Sequence, residues 1–187
     1  MNTMMNRVLR PGIGLFAAGA ILLSGLGTAS AHVTARAGDT SAGAYTVLTF
    51  GVPHGCDGSA TTQIDISIPD EIQTVKPGVH AGWTIETRTE ESATPVATEH
   101  GETTEKTSEI IYTAKEPLPD AYYDQLLVQV KLPDDAAGQT IYFPTVQTCE
   151  EGETAWVQIP EEGQDPFELE HPAPFVTVTA SQEDTGQ

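Results

Sequence analysis

Cations are scarce in this chain. Its 187 residues carry eight Lys and Arg against 27 Asp and Glu, a formal charge of −19. So acidic a surface repels nucleic-acid phosphate and anionic lipid and suits the attraction of cations, although high charge also simply keeps an exported protein in solution. Sulfur is scarce too. Cys56 and Cys149 are the only cysteines, and Met1, Met4 and Met5 are the only methionines. A blue-copper electron carrier needs a free Cys with two His, and a stable Cu(I) site needs softer donors than this chain offers. No Gly-x-Ser-x-Gly elbow or comparable motif is present, which removes a serine-hydrolase reading. After the amino-terminal apolar stretch no hydrophobic run reaches the ~20 residues of a membrane span. A long apolar period of 3.6 residues is absent as well, so helices contribute little.

The amino terminus has the pattern of a secretory leader. Arg7 and Arg10 make a positive region, Gly12 to Gly27 is apolar, and Ala29-x-Ala31 supplies small residues at a cleavage site. Cleavage between Ala31 and His32 is expected, giving a secreted, extracytoplasmic protein. No cysteine stands at the leader's end to take a lipid, the two arginines are not adjacent, and no carboxy-terminal anchor is evident. Without residues 1–31 the chain has 156 residues, one ordinary domain. Six basic residues then face 27 acidic ones, a formal −21. The expected organisation is a leader at 1–31, one domain at 32–179, and a disordered tail at 180–187.

The rest of the chain reads as β. Tyr45–Val52 is rich in β-branched and aromatic residues and stops at Pro53. Gln63–Ile68 alternates isoleucine with polar residues and stops at Pro69. Further strands are predicted at Trp83–Thr87, Glu109–Ala114, Gln125–Leu132, Thr140–Val146, Ala155–Ile159 and Phe175–Thr179, with a short edge strand at His32–Ala35. Pro53-His-Gly, Asp57-Gly, Pro77-Gly, Pro133-Asp-Asp, Glu151-Gly and Glu162-Gly punctuate them. Asp120–Asp124 is predicted as one helical turn, Glu90–Ser108 as a mobile, polar hairpin connection, and Glu161–Glu170 as an acidic loop. Eight or nine short strands in this length imply an all-β fold: an antiparallel β-sandwich, with a closed barrel as the alternative. In an exported domain the cysteine pair reads first as a Cys56–Cys149 disulfide; the rival is a two-thiolate copper site, for which the Cys-x-x-Cys spacing is missing.

His32 is the sharpest candidate for chemistry. As a first residue it would carry a free α-amine beside its imidazole, and the amine and Nδ1 can close a chelate ring on one metal. With pKa values near ~7.7 and ~6.5, both donors are largely available at neutral pH. Nitrogen donors in a tetragonal arrangement favour Cu(II), which also heads the divalent affinity order. The plain alternative is a histidine that happens to follow a cleavage site. Thr34 stands third, so an amino-terminal motif with a third-position histidine is absent. His54, His80, His100 and His171 show no i, i+2 or i, i+4 pairing and read as solvated loop residues.

The ordered set His32-Val-Thr, Gly43-Ala-Tyr-Thr-Val-Leu-Thr-Phe, Val52-Pro-His-Gly-Cys56, Val75-Lys-Pro, Gly82-Trp83-Thr, Leu132-Pro, Val146-Gln-Thr-Cys149, Trp156 and Pro172-Ala-Pro-Phe175 resembles the YcnI-type copper-binding domain family over nearly the whole mature sequence. The resemblance implies a cupredoxin- or immunoglobulin-like sandwich binding one Cu(II) through a single-histidine brace, a carboxylate and a nearby tryptophan. His32 matches the brace. Asp120 matches the carboxylate, where the family has the longer glutamate; Asp124 and Glu116 are alternatives. Trp156 matches the tryptophan that would wall the site, while Trp83, heading a strand, reads as a core anchor.

The expected function is therefore an exported, non-enzymatic copper-binding protein of copper trafficking or homeostasis. Its cofactor would be Cu(II), and its partners the copper ion and other extracytoplasmic copper-handling proteins, with no nucleic acid and no membrane span. The alternatives are a brace-type copper oxygenase, which needs a second histidine, and a metal-free adhesion or partner-binding sandwich.

Overall fold

The computed structural model describes residues 32–98 and 101–181. The expected leader, His100 and most of the expected tail lie outside the described residues. Among those described, no helix is long and apolar enough to cross a membrane.

Two antiparallel sheets pack face to face. One has four strands in the order β1-β2-β7-β4: β1 Thr34–Ala37, β2 Tyr45–Val52, β7 Asp124–Lys131 and β4 Val75–Pro77. The other has five in the order β10-β9-β3-β6-β5: β10 Glu153–Trp156, β9 Thr145–Cys149, β3 Thr61–Ser67, β6 Gly101–Leu118 and β5 Trp83–Thr98. A small ladder of β8 (Thr140–Tyr142) and β11 (Phe175–Thr177) completes the fold.

Alternation along the strands explains the layers, because successive side chains point to opposite faces of a sheet. Leu48 and Phe50 of β2 face inward with Leu126, Val128 and Val130 of β7. From the other sheet come Ile64 and Ile66 of β3 and Ile110 and Tyr112 of β6. Polar links cross the same interior. The Tyr112 hydroxyl donates to the Leu127 carbonyl at 2.9 Å, and burial pushes that phenol up to about 12. Trp83, buried as a core anchor, donates its indole N–H to Asp124 at 2.8 Å.

Several sequence expectations change. The expected hairpin over Glu90–Ser108 is built from long strand rather than loose connection, its described residues lying in β5 up to Thr98 and in β6 from Gly101, with Thr89 opposite Thr107 and Glu90 opposite Lys106. The apolar period that marks a strand is missing there because the arm buries little: of Glu86 to Glu91 every residue is exposed. Lys106 is the exception, covered by ion pairs to Asp70 and Glu90; burial opposes its charge, and the two carboxylates outweigh it and raise its pKa. The single strand Thr140–Val146 is two strands serving different sheets, broken beside Pro144, which has no N–H for a ladder. Val75–Pro77 is a strand that its own proline hides. Asp120–Asp124 is a turn closed by Tyr122 N–H on the Pro119 carbonyl, and β7 begins at Asp124. Within the acidic loop, Asp165 caps a 3-10 turn at Pro166–Glu168.

Candidate functional site

The candidate residues gather beside one edge strand from each sheet. β1 is the edge of the four-stranded sheet and β10 the edge of the five-stranded one. His32 precedes β1, with the buried Val33 anchoring it; Trp156 ends β10, opposite Thr145. Their rings are 5.7 Å apart between centroids, inclined at 62°. A cleft of about 250 Å³ opens beside His32, lined by residues 32–36, Phe167 and Pro172–Phe175.

Trp156 is the hub. Its indole is buried, and three imidazoles stand edge-on to it: His171 at 5.3 Å, His32 at 5.7 Å and His54 at 6.3 Å between ring centroids. Burial, then the nearby His171 and His54, hold the His32 imidazole below its usual 6.5. His54 and His171 do lie in loops, as read, but they are not isolated there. Both are partly buried and both border the same indole as His32. Spacing carries no trace of this, because the three lie on separate connections that only sheet packing brings together.

Each position is fixed by local chemistry. Gln147, fully buried, accepts from the Trp156 indole N–H at 3.0 Å and donates its amide to the His54 carbonyl at 2.6 Å and the Thr61 hydroxyl at 2.7 Å. Cys56 and Cys149 form a disulfide, so the two-thiolate copper site does not exist in this fold. The bond staples the His54 loop to β9. Asp57 and Gly58, with φ of 50° and 88°, turn the chain so that Cys56 and Ser59 exchange backbone hydrogen bonds. Gly55 lies so near this turn that a Cβ there would come within 1.7 Å of the Ser59 carbonyl oxygen. His171 is clamped alongside Gln158, whose side chain accepts from its N–H at 2.6 Å and whose N–H donates to its carbonyl at 3.1 Å.

Of the carboxylates, Asp120 belongs to this neighbourhood. Its Oδ1 accepts from the Gly55 N–H at 3.0 Å, tying the segment before β7 to the His54 loop. Asp124 is engaged elsewhere, accepting from Trp83 and lying 3.0 Å from His80 Nε2. Glu116 is exposed on β6. Among the described residues no three His, Cys, Asp or Glu side chains converge as a ready metal cage. The donors sit around the indole instead, and a free His32 α-amine would add a nitrogen that no side chain supplies. His171 Nδ1 is the single buried side-chain N or O atom without a hydrogen-bond partner among the described residues.

A family model described as a domain of unknown function, DUF1775, matches residues 32–178 and so begins at His32. The chain is similar to an uncharacterised protein from Nocardia farcinica whose crystal structure is described as revealing an immunoglobulin-like fold. The two share 27% identity at a TM-score of 0.61, over 80% of this chain and 99% of that one. A DUF4466 family protein from Parabacteroides merdae has 7% identity over 66% of this chain and 43% of that one, and its TM-score of 0.29 carries no argument. No curated protein matches. The architecture is an all-β, immunoglobulin-like antiparallel sandwich with a Cys56–Cys149 disulfide.

Proposed function

This chain belongs to the DUF1775 family, which includes the YcnI-type domains, and on that premise we propose that it is an exported copper-binding protein acting in copper trafficking or homeostasis. In this reading one Cu(II) is held by His32 after removal of residues 1–31. The freed α-amine and the imidazole would supply two nitrogens, Asp120 an oxygen, and Trp156 an apolar wall that limits water and access. Bound there, copper would be cargo rather than a redox centre, because thiolate and thioether donors that favour Cu(I) are missing.

One observation carries the proposal: the residue at which both the expected mature chain and the family match begin lies against Trp156 in a cluster of imidazoles. The lowered His32 pKa supports it, since an imidazole kept neutral is the form that binds a metal.

Cu(II) titration and EPR of the protein starting at His32, beside the same protein with one residue added in front, test this reading. The extension should weaken binding by at least about tenfold, the lower scale on which lost support of a metal ligand is felt, and should change the copper spectrum. Equal affinity and equal spectra would refute an amino-terminal site. The presence of His54 and His171 also favours a second reading, a brace-type copper oxygenase, which requires a second imidazole. It predicts oxygen consumption by the copper-loaded protein when a reductant is added; the binding reading predicts none.

A further inference from the structure

We propose that the outer face of the four-stranded sheet is a docking surface for a protein partner whose contact patch is apolar at its centre and acidic at its margins. The inference stands apart from the copper reading and rests on how charge is laid out over the two sheets.

Alternation fixes which side chains point outward, since Leu48 and Phe50 of β2 and Leu126 and Val128 of β7 point into the core. The opposite side of these two central strands carries Tyr45, Val47 and Leu127, all exposed. Arg36 of β1 stands beside Thr49, Lys76 of β4 beside Gln129, and Lys131 beside Tyr45. The other outward positions of the strands are Thr, Gly and Gln, so none of them is acidic. Three of the six basic residues that follow residue 31 lie on this one face, in a chain with 27 acidic ones. The five-stranded sheet is the contrast: its outward positions include Asp65, Glu86, Glu109 and Glu153. Both faces belong to antiparallel strands of one domain, so strand formation does not account for the difference.

The layout has the anatomy of a protein interface. Such surfaces are poor in Asp and Glu at the centre, rich in Tyr and Arg, and rimmed by polar groups. Tyr45 and Val47 are outward neighbours on β2, and Leu127 lies diagonally across the ladder from Val47, close enough for side-chain contact. Arg36 and Lys76 flank this apolar stripe from the two edge strands. Neither has an ion pair among the described residues, whereas Lys131 meets Asp134 at the end of the face. Tyr123 extends the face at the other end, lying over Gly51, where a Cβ would come within 2.7 Å of its hydroxyl.

Charge complementarity selects the occupant. Two unpaired cations beside an apolar stripe fit carboxylates beside an apolar centre. A second copy in a two-fold contact would set the same cations against themselves. An anionic bilayer is a continuous plane of charge and repels the rest of so acidic a chain. A protein can place a few carboxylates opposite the cations, with charges beyond about 8 Å largely screened.

The test begins in the native host cell, with a photo-reactive phenylalanine in place of Val47 or, as the control, of Thr113 on the outward side of β6. The Val47 position should give an adduct with one acidic protein that the Thr113 position does not. That partner, identified and purified, is then titrated against the protein. Arg36→Glu with Lys76→Glu should weaken binding about tenfold or more and remove its weakening by salt. Val47→Thr with Leu127→Thr should weaken it by a similar factor. Urea midpoints close to the parent's show that both double variants fold. The absence of an adduct specific to Val47 would overturn the inference, as would an adduct with a second copy. Binding to phosphatidylglycerol vesicles in place of a protein, or a titration indifferent to both pairs of substitutions, would overturn it too. None of these outcomes bears on the chain extended before His32, so this inference and the copper reading fail separately.

Discussion

Gln147 is the residue through which the site's wall and one of its loops are held together, and Gln147→Leu isolates that role. The substitution keeps the volume approximately and removes three hydrogen bonds. Trp156 Nε1 and the Thr61 hydroxyl are buried, so both lose a partner where water does not replace it; the His54 carbonyl is partly buried and can turn to solvent. Each buried orphan costs about 1–3 kcal/mol, and no longer burying the glutamine amide offsets part of the sum. The expected destabilisation is about 2–4 kcal/mol, read as a lower urea midpoint with an unchanged slope. Combining Gln147→Leu with Trp156→Phe sharpens the test, since the second change removes the orphaned indole N–H. The double variant should then be more stable than the two single effects sum to by about 1–2 kcal/mol. A loss below about 1 kcal/mol, or strict additivity, would refute the idea that this amide clamps the indole.

Three further outcomes are expected. Replacing both cysteines by alanine should cost up to about 4.7 kcal/mol on the chain-entropy model, because the bridge spans a separation of 93 residues; reversible urea unfolding measures it, and a loss under 1 kcal/mol would count against that account. Gly55→Ala should displace the His54 loop, since the added Cβ would meet backbone rather than a movable side chain; shifted His54 and Asp120 NMR resonances would show this, and an unperturbed spectrum would refute it. His32 should titrate below 6.5 by proton NMR. Its unfolded form then takes up a proton first, so the stability tied to a neutral His32 is complete above 6.5 and is lost as pH falls towards the folded pKa. A pKa at or above 6.5 in the folded protein would overturn this.

Strand-forming patterns were legible wherever one face of a strand met the core. Tyr45–Val52 has the same bounds in the sequence reading and in the structure, and Gln63–Ile68 and Gln125–Leu132 differ from β3 and β7 only at their ends. The patterns failed where burial was absent or proline intervened. Among the described residues the outer β5–β6 arm buries little, with Glu86 to Glu91 all exposed, and β4 and the break at Pro144 contain the very residue that argues against a strand.

Sequence alone determined the all-β class and the pairing-ready cysteines, and it singled out His32 as the candidate for chemistry, because these readings depend on residue type, alternation and order along the chain. Only the tertiary structure decided the company His32 keeps. Trp156, His54 and His171 come to it from β10 and two loops, joined around the Trp156 indole and secured by Gln147, Gln158 and the disulfide. Loop residues carry no periodic signal, and the contacts that gather them join residues as far apart in the chain as His32 and Trp156. The physical reason is that a sandwich sets its edges by core packing, and whatever stands at those edges becomes neighbours.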